Sequence, residues 1–208
     1  MSKNTEEVRN AIENSLQGLA FWMGYRNTTC YKYVFTENSL VKEFSSLLKS
    51  LLGKEYIIKR EEKYSNHFPE IKKGYKMDLF ITDKDGKKKY AVIEVKRWRV
   101  KNRTTKEGDE KRRYMYKREI EKDIIRLAEV KRNNNDIPCF FILISERARP
   151  DLYVRKEGYA INKKSPIKGY DDLKYSTRVL KASASFEKKE NAYYCCLVEI
   201  FKKPGDKK

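Results

Sequence analysis

Three charged residues interrupt apolar stretches of the sequence. Asp78 lies inside KMDLFI, and Glu94 and Lys96 follow the apolar letters YAVI. Because side chains alternate along a strand, Glu94 and Lys96 should share a face with Tyr90 and Val92. Burying such charges costs free energy unless they are paired or bind a metal. The spacing E-x-K recurs elsewhere in this charged chain, so the apolar context is what singles out these three residues as a candidate site.

Asp78 and Glu94 could supply the oxygen ligands of a divalent metal ion. Two carboxylates, the backbone carbonyl of Val95 and water molecules make the hard site that Mg²⁺ prefers, and Mn²⁺ is expected to substitute. The metal would polarise a phosphoryl oxygen and lower the pKa of a bound water. Lys96 would orient or deprotonate that water and offset charge on the phosphate.

The two carboxylates can meet only if the hairpin between them is irregular. Asp85 and Gly86 mark its turn, and a regular two-residue loop there would place Asp78 opposite Ile93, with Glu94 on the other face. A three-residue loop with Gly86 in the left-handed region, or an equivalent bulge, restores a shared face. The metal-site hypothesis therefore predicts an odd loop or a bulge.

A third acid is expected from the helix predicted over TENSLVKEFSSLLKSLLG, which Thr36 or Ser39 can cap and Gly53 ends. Glu43 lies at the edge of the apolar stripe of this helix. A helical Glu leaning toward the sheet could reach the metal directly or through water. The alternative is a solvated Glu43 paired with a nearby lysine.

The surrounding pattern alternates helices with strands. Helices are predicted over residues 4 to 22, 36 to 53 and 109 to 131, and strands over KEYIIKREEKY, YKMDLFITD, KKKYAVIEVKRW, IPCFFILIS and a final hairpin from STRVLKASASF to NAYYCCLVEIF. This order predicts an α/β sandwich: a mixed sheet with a three-stranded antiparallel meander, flanked by helices. We expect a single domain, with its core over residues 36 to 145, a helical elaboration over 1 to 35 and a C-terminal elaboration over 146 to 208.

Asp78 and the letters IEVK at 93 to 96, after a helix carrying Glu43, resemble the PD-(D/E)XK nuclease superfamily, which has the restriction-endonuclease-like fold. The resemblance covers roughly residues 36 to 145, and Met77 stands where the family's name has proline. It implies that Asp78 and Glu94 bind divalent metal, that Lys96 assists the attacking water, and that Glu43 is the helical acid. The implied activity is that of a Mg²⁺-dependent nuclease, with a DNA endonuclease favoured over an exonuclease.

The formal net charge of +18 predicts a large anionic partner, and nucleic acid is the first candidate. Residues 96 to 118 contain eleven lysines and arginines against three acids, which would hold phosphates near the metal; a solvated basic loop is the alternative. DNA is favoured over RNA. The expected nucleic-acid contacts are Arg97, Arg99, Lys101, Arg103, Arg112, Arg113 and Lys117.

Two other interpretations stay open. One is a non-catalytic or partner-dependent nucleic-acid-binding module on the same fold, and the other is a structural salt bridge at Glu94. The intact set of Asp78, Glu94 and Lys96 weighs against the first. Cleavage of both DNA strands would favour a homodimer. The acidic N-terminus, the lack of a bilayer-length apolar run and the four cysteines without a C-x-x-C pair predict a cytoplasmic protein with no membrane contact.

Overall fold

The computed structural model describes residues 3–29, 35–98, 106–146, 165–167, 169–186 and 189–202. The helices are α1 (Lys3–Thr29), α2 (Glu37–Leu51) and α3 (Lys106–Asn133). The strands are β1 (Tyr56–Lys63), β2 (Lys76–Asp83), β3 (Lys89–Trp98), β4 (Cys139–Glu146), β5 (Ser165–Ile167), β6 (Tyr170–Phe186) and β7 (Lys189–Lys202). A short 3-10 turn, Tyr64–Asn66, follows β1.

The described strands form one mixed sheet in the order β1-β2-β3-β4-β7-β6-β5. Strands β1, β2 and β3 make the predicted antiparallel meander, and β4 lies parallel to β3. The predicted C-terminal hairpin is present as β6 and β7, and β7 pairs antiparallel with β4. The C-terminal segment therefore continues the central sheet instead of forming a separate layer.

Helices cover both faces of this sheet, so the architecture is a mixed α/β sandwich. On one face α1 and α2 pack against inward residues that include Leu79, Ile93 and Val95. On the other face α3 packs against Phe80 and Val92. Because β3 is covered on both sides, its unbroken apolar run has no solvent face, as expected for a buried strand.

The start of α2 is set by a capping box. The Ser39 backbone N–H donates to Thr36 Oγ1 at 3.0 Å, and the Thr36 backbone N–H donates to Ser39 Oγ at 3.0 Å. Thr36 is therefore the N-cap, which is typically worth about 1 kcal/mol. This cap makes Glu37 the first residue of the helix.

The structure extends two predicted helices and adds one strand. Both α1 and α3 are longer than their apolar patterns indicate, and β5 has only three residues, one of them Pro166. Such a short strand carries too little pattern to be read from sequence. In the described ranges, none of the helices combines the length and apolar content needed to cross a membrane.

Candidate active site

The hairpin of β2 and β3 contains the irregularity that the metal-site hypothesis requires. Ile81 pairs with Ala91, but Thr82 pairs with Lys89, so Tyr90 is an extra residue in β3. Beyond this bulge Leu79 lies opposite Ile93. One further step along both strands sets Asp78 level with Glu94, on the same face. The predicted bulge is therefore confirmed, and it lies in β3 itself.

Because of the same bulge, Tyr90 lies on the face opposite to the one predicted. Simple alternation placed Tyr90 on the face of Glu94, but its side chain packs in the core under α1 and α2. Its ring centroid lies 5.0 Å from that of Tyr56. The bulge shifts the alternation by one residue, so Val92 shares the face of Glu94 and Tyr90 does not.

Glu94 is a buried carboxyl group, and the neighbouring Asp78 is half-buried. The Val95 backbone N–H donates to Asp78 Oδ2 at 2.7 Å, and the Tyr64 hydroxyl donates to Glu94 Oε1 at 2.7 Å. Glu94 is only 3% exposed. Burial raises its pKa well above the usual range, and the carboxylates of Asp78 and Asp123 raise that pKa further. Burial also raises the pKa of Asp78, although the Val95 N–H opposes this.

The Lys96 ammonium is held between two helices. Its Nζ lies 3.4 Å from Glu37 Oε1 on α2 and 3.7 Å from Asp123 Oδ2 on α3. Burial lowers the pKa of Lys96, but Asp123, Glu37 and Asp78 outweigh burial and leave it above its ordinary value. Lys96 therefore stays protonated near neutral pH, which suits orienting a water and offsetting phosphate charge better than deprotonating that water.

The helical acid that contacts the site is Glu37, where the sequence pattern had indicated Glu43. Glu37 also accepts the Arg97 backbone N–H, at 3.2 Å from Oε2. Glu43 lies six residues further along α2, about 9 Å up the axis and on another side of the helix. Within the described residues no hydrogen bond or ion pair joins Glu43 to Asp78, Glu94 or Lys96. An acid in a first helical turn ordinarily complements the helix dipole, so Glu37 carried no functional signal.

Helix α3 contributes two residues that sequence reasoning missed. The Arg126 guanidinium hydrogen-bonds Asp123 and lies 3.6 Å from Glu94 Oε1. Its Cζ also lies 4.7 Å from the centre of the Tyr75 ring. In the sequence, Asp123 and Arg126 are one of several pairs of opposite charge on a charged helix. Only the packing of α3 against the sheet shows that they lie at the site. We call the following residues the carboxylate cluster: Glu37, Tyr64, Asp78, Glu94, Lys96, Asp123 and Arg126.

The carboxylate cluster has the chemistry of a cation site. Its four carboxylates, when ionised, exceed its two cations, which is an excess of two negative charges in a chain of net charge +18. Asp78 and Glu94 repel each other only when both are ionised, and either a proton on Glu94 or a nearby cation relieves that repulsion; carboxylate oxygens suit a hard divalent ion. In the described part of the chain, no three His, Cys, Asp or Glu side chains are grouped so as to hold a metal ion. The candidate ligands are thus the Asp78 and Glu94 pair with the predicted Val95 carbonyl.

The predicted nucleic-acid contacts are only partly described. The Arg97 guanidinium donates to the Phe35 carbonyl and so has an internal partner. The backbones of Arg112, Arg113 and Lys117 lie in the first half of α3. Three further predicted contacts lie outside the described residues: Arg99, Lys101 and Arg103.

Comparisons of this chain with protein-family models, with curated proteins and with solved structures found no match.

Proposed function

We propose that this protein is a metal-dependent nuclease of the PD-(D/E)XK type with a restriction-endonuclease-like fold. The proposed substrate is DNA, favoured over RNA, and endonucleolytic cleavage is favoured over exonucleolytic. The observation that carries the proposal is the geometry of one hairpin. Asp78 and Glu94 lie level on adjacent strands because of the Tyr90 bulge, and Lys96 follows Glu94 at the end of β3.

Asp78, Glu94 and the Val95 carbonyl would hold Mg²⁺, which supplies Lewis acidity toward a phosphoryl oxygen and a bound water of lowered pKa. The chain's own groups then prepare the site. The Val95 N–H fixes the Asp78 carboxylate, and the Tyr64 hydroxyl fixes that of Glu94. The charged Lys96 lies where it can orient the attacking water and offset the growing negative charge on the phosphate.

Two length scales of charge support a polyanionic substrate. Over the whole chain, a net charge of +18 attracts nucleic acid from a distance and holds its phosphates. At the carboxylate cluster, the excess of acids repels the same phosphates at short range. Cleavage should therefore depend on an added divalent cation even when nucleic acid already binds.

The first experiment is a cleavage assay on plasmid, linear duplex, single-stranded DNA and RNA, in Mg²⁺, Mn²⁺ or EDTA. Asp78→Asn and Lys96→Met should each lower the cleavage rate by a factor of about 100 or more, since each removes a charge used in the transition state. Asp85→Asn and Lys87→Met are matched controls in the turn of the same hairpin. Both controls should cut at the rate of the unchanged protein.

Two results would contradict the proposal. The first is the absence of metal-dependent cutting on every substrate by the unchanged protein. The second is cutting that survives in folded Asp78→Asn and Lys96→Met. If the first result is accompanied by binding of nucleic acid, it is the outcome that the alternative binding-module function predicts. Circular dichroism and a melting curve for each variant separate lost chemistry from lost folding.

A further inference from the structure

Within the carboxylate cluster, Arg126 extends its guanidinium from α3 toward Glu94 on the sheet. Its Nη2 lies 3.6 Å from Glu94 Oε1, the oxygen that also accepts the Tyr64 hydroxyl. The side chain of Arg126 is 17% exposed and that of Glu94 is 4% exposed. A charge pair this sheltered from water is screened much less than one at the surface.

Three neighbouring side chains define the position of the guanidinium. Asp123, one helical turn earlier on α3, accepts a hydrogen bond from it, and the Tyr75 ring lies against it at 4.7 Å. Glu94 is the third neighbour, and it is the more distant of the two carboxylates. Arg126 therefore has a hydrogen-bonded partner in Asp123 and a second, looser partner in the more distant Glu94.

The looser partner is also a candidate metal ligand. In the proposed function, Glu94 must direct its charge to a divalent cation beside Asp78. A guanidinium 3.6 Å from the same carboxylate neutralises part of that charge and repels a second cation nearby. Asp123 keeps Arg126 paired if Glu94 turns away, so the exchange of partners leaves no half-buried guanidinium unpaired.

We propose that Arg126 is a positioning residue that serves as the internal counter-cation of Glu94, and that a divalent metal ion must compete with it for this carboxylate. This inference rests on the proposed function, because it takes Glu94 as a metal ligand. If Arg126 served only as a structural salt bridge between α3 and the sheet, the opposite effect on metal affinity would be expected. Removing Arg126 would then loosen the site and weaken metal binding.

The test is calorimetric titration of the full-length protein with Mn²⁺, and with Ca²⁺ in a parallel series. Arg126→Gln should bind Mn²⁺ about tenfold more tightly than the unchanged protein, a coupling of ordinary size between two cations at one site. Arg126→Lys should stay near the unchanged affinity. Arg132→Gln removes the same charge from the same helix, where Arg132 lies against Tyr170, and should leave the affinity unchanged.

A second readout is the melting temperature with and without metal. In EDTA, Arg126→Gln should melt lower than the unchanged protein because Glu94 has lost its counter-cation. Saturating Mn²⁺ should raise its melting temperature by more than it raises that of the unchanged protein.

The failures are distinguishable. Equal or weaker Mn²⁺ affinity in Arg126→Gln, while the unchanged protein binds Mn²⁺ and Asp78→Asn does not, overturns this inference and leaves the proposed nuclease intact. No Mn²⁺ or Ca²⁺ binding by the unchanged protein or by Arg126→Gln overturns both. If Arg132→Gln also bound Mn²⁺ more tightly, the change in affinity would follow from the lower net charge of the chain, and the inference would again be overturned.

Discussion

At the scale of single residues, Lys96 and Glu94 are defined by their neighbours more than by their own spacing. Lys96 reaches a carboxylate on each of two helices, Glu37 and Asp123. Glu94 takes a hydrogen bond from Tyr64 and an ion pair from Arg126. The E-x-K pattern thus supplies two ionisable side chains, and their neighbours in the fold set the pKa of each.

Tyr64 offers a direct measure of how strongly the Glu94 carboxyl is held. Its side chain is fully buried and its hydroxyl donates to Glu94 Oε1 at 2.7 Å. Tyr64→Phe keeps the ring and removes the hydroxyl, which should cost about 1–3 kcal/mol of unfolding free energy, as for other buried hydrogen bonds to acidic groups. Urea unfolding monitored by circular dichroism gives that value.

Tyr75→Phe is the control for this substitution, because Tyr75 is 41% exposed. It should change the free energy of unfolding by less than about 0.5 kcal/mol. Equal losses in the two variants would show that the Tyr64 hydroxyl contributes nothing specific to the site.

Sequence reasoning reached Asp78, Glu94 and Lys96 because a charge inside an apolar strand is physically costly and therefore visible. It did not reach Glu37, Asp123 or Arg126. A charge on a helix is ordinary at a first turn or at an i,i+3 spacing. Only the tertiary placement of α2 and α3 turns these ordinary charges toward the site.

At the scale of elements, one residue of β1 departs from the extended conformation beside the site. Arg60 pairs with Leu79 and Glu62 with Met77, so the unpaired Glu61 between them stands opposite Asp78. Glu61 has φ of 57°, a left-handed conformation that side chains other than glycine disfavour. Backbone strain of this kind is often found next to functional residues.

Replacing Glu61 with glycine tests this strain. Glu61→Gly should raise the free energy of unfolding by about 1 kcal/mol, since glycine adopts a positive φ without the steric penalty. The exposed ion pair with Lys76, at 3.5 Å, offsets little of this gain. Arg60→Gly, at an exposed position of the same strand that lacks a positive φ, should lower the free energy of unfolding by about 0.5–1 kcal/mol. A loss of stability in both variants would contradict the assignment of backbone strain to Glu61.

The elements themselves were largely predictable, because buried strands and amphipathic helices leave long periodic patterns. The meander, β4 and the final hairpin all follow from their apolar runs. Two features did not follow: β5 is too short to show a pattern, and the pairing of β7 with β4 joins segments far apart in the chain. Periodicity identifies elements, but it carries no information on which of them become neighbours.

At the scale of the whole molecule, the net charge of +18 acts on an approaching anion at long range, whereas the carboxylate cluster acts on it at short range. If the first half of α3 binds nucleic acid, replacing both Arg112 and Lys117 with alanine should reduce the slope of log affinity against log salt. The expected reduction is about one unit for each phosphate that the variant no longer neutralises. Fluorescence anisotropy with a labelled duplex over a salt series measures the slope.

Lys72→Ala combined with Lys73→Ala is the matched control, since both lysines are exposed in the loop before β2. It removes the same charge from another surface and should leave the slope within about 0.5 unit. An unchanged slope in the α3 variant would remove this segment from the proposed binding surface.

The bulge at Tyr90 has a consequence for how such proteins diverge. The turn at residues 84 to 87 can gain or lose residues without disturbing the pairing beyond it, as surface loops generally can. The stretches from Asp78 to Ile81 and from Tyr90 to Glu94 cannot, because one residue more or less moves one carboxylate to the opposite face of the sheet. Relatives that keep this candidate site should therefore vary in turn length while keeping both of these spacings. A search for them should fix the two short intervals and leave the length of the turn between them variable.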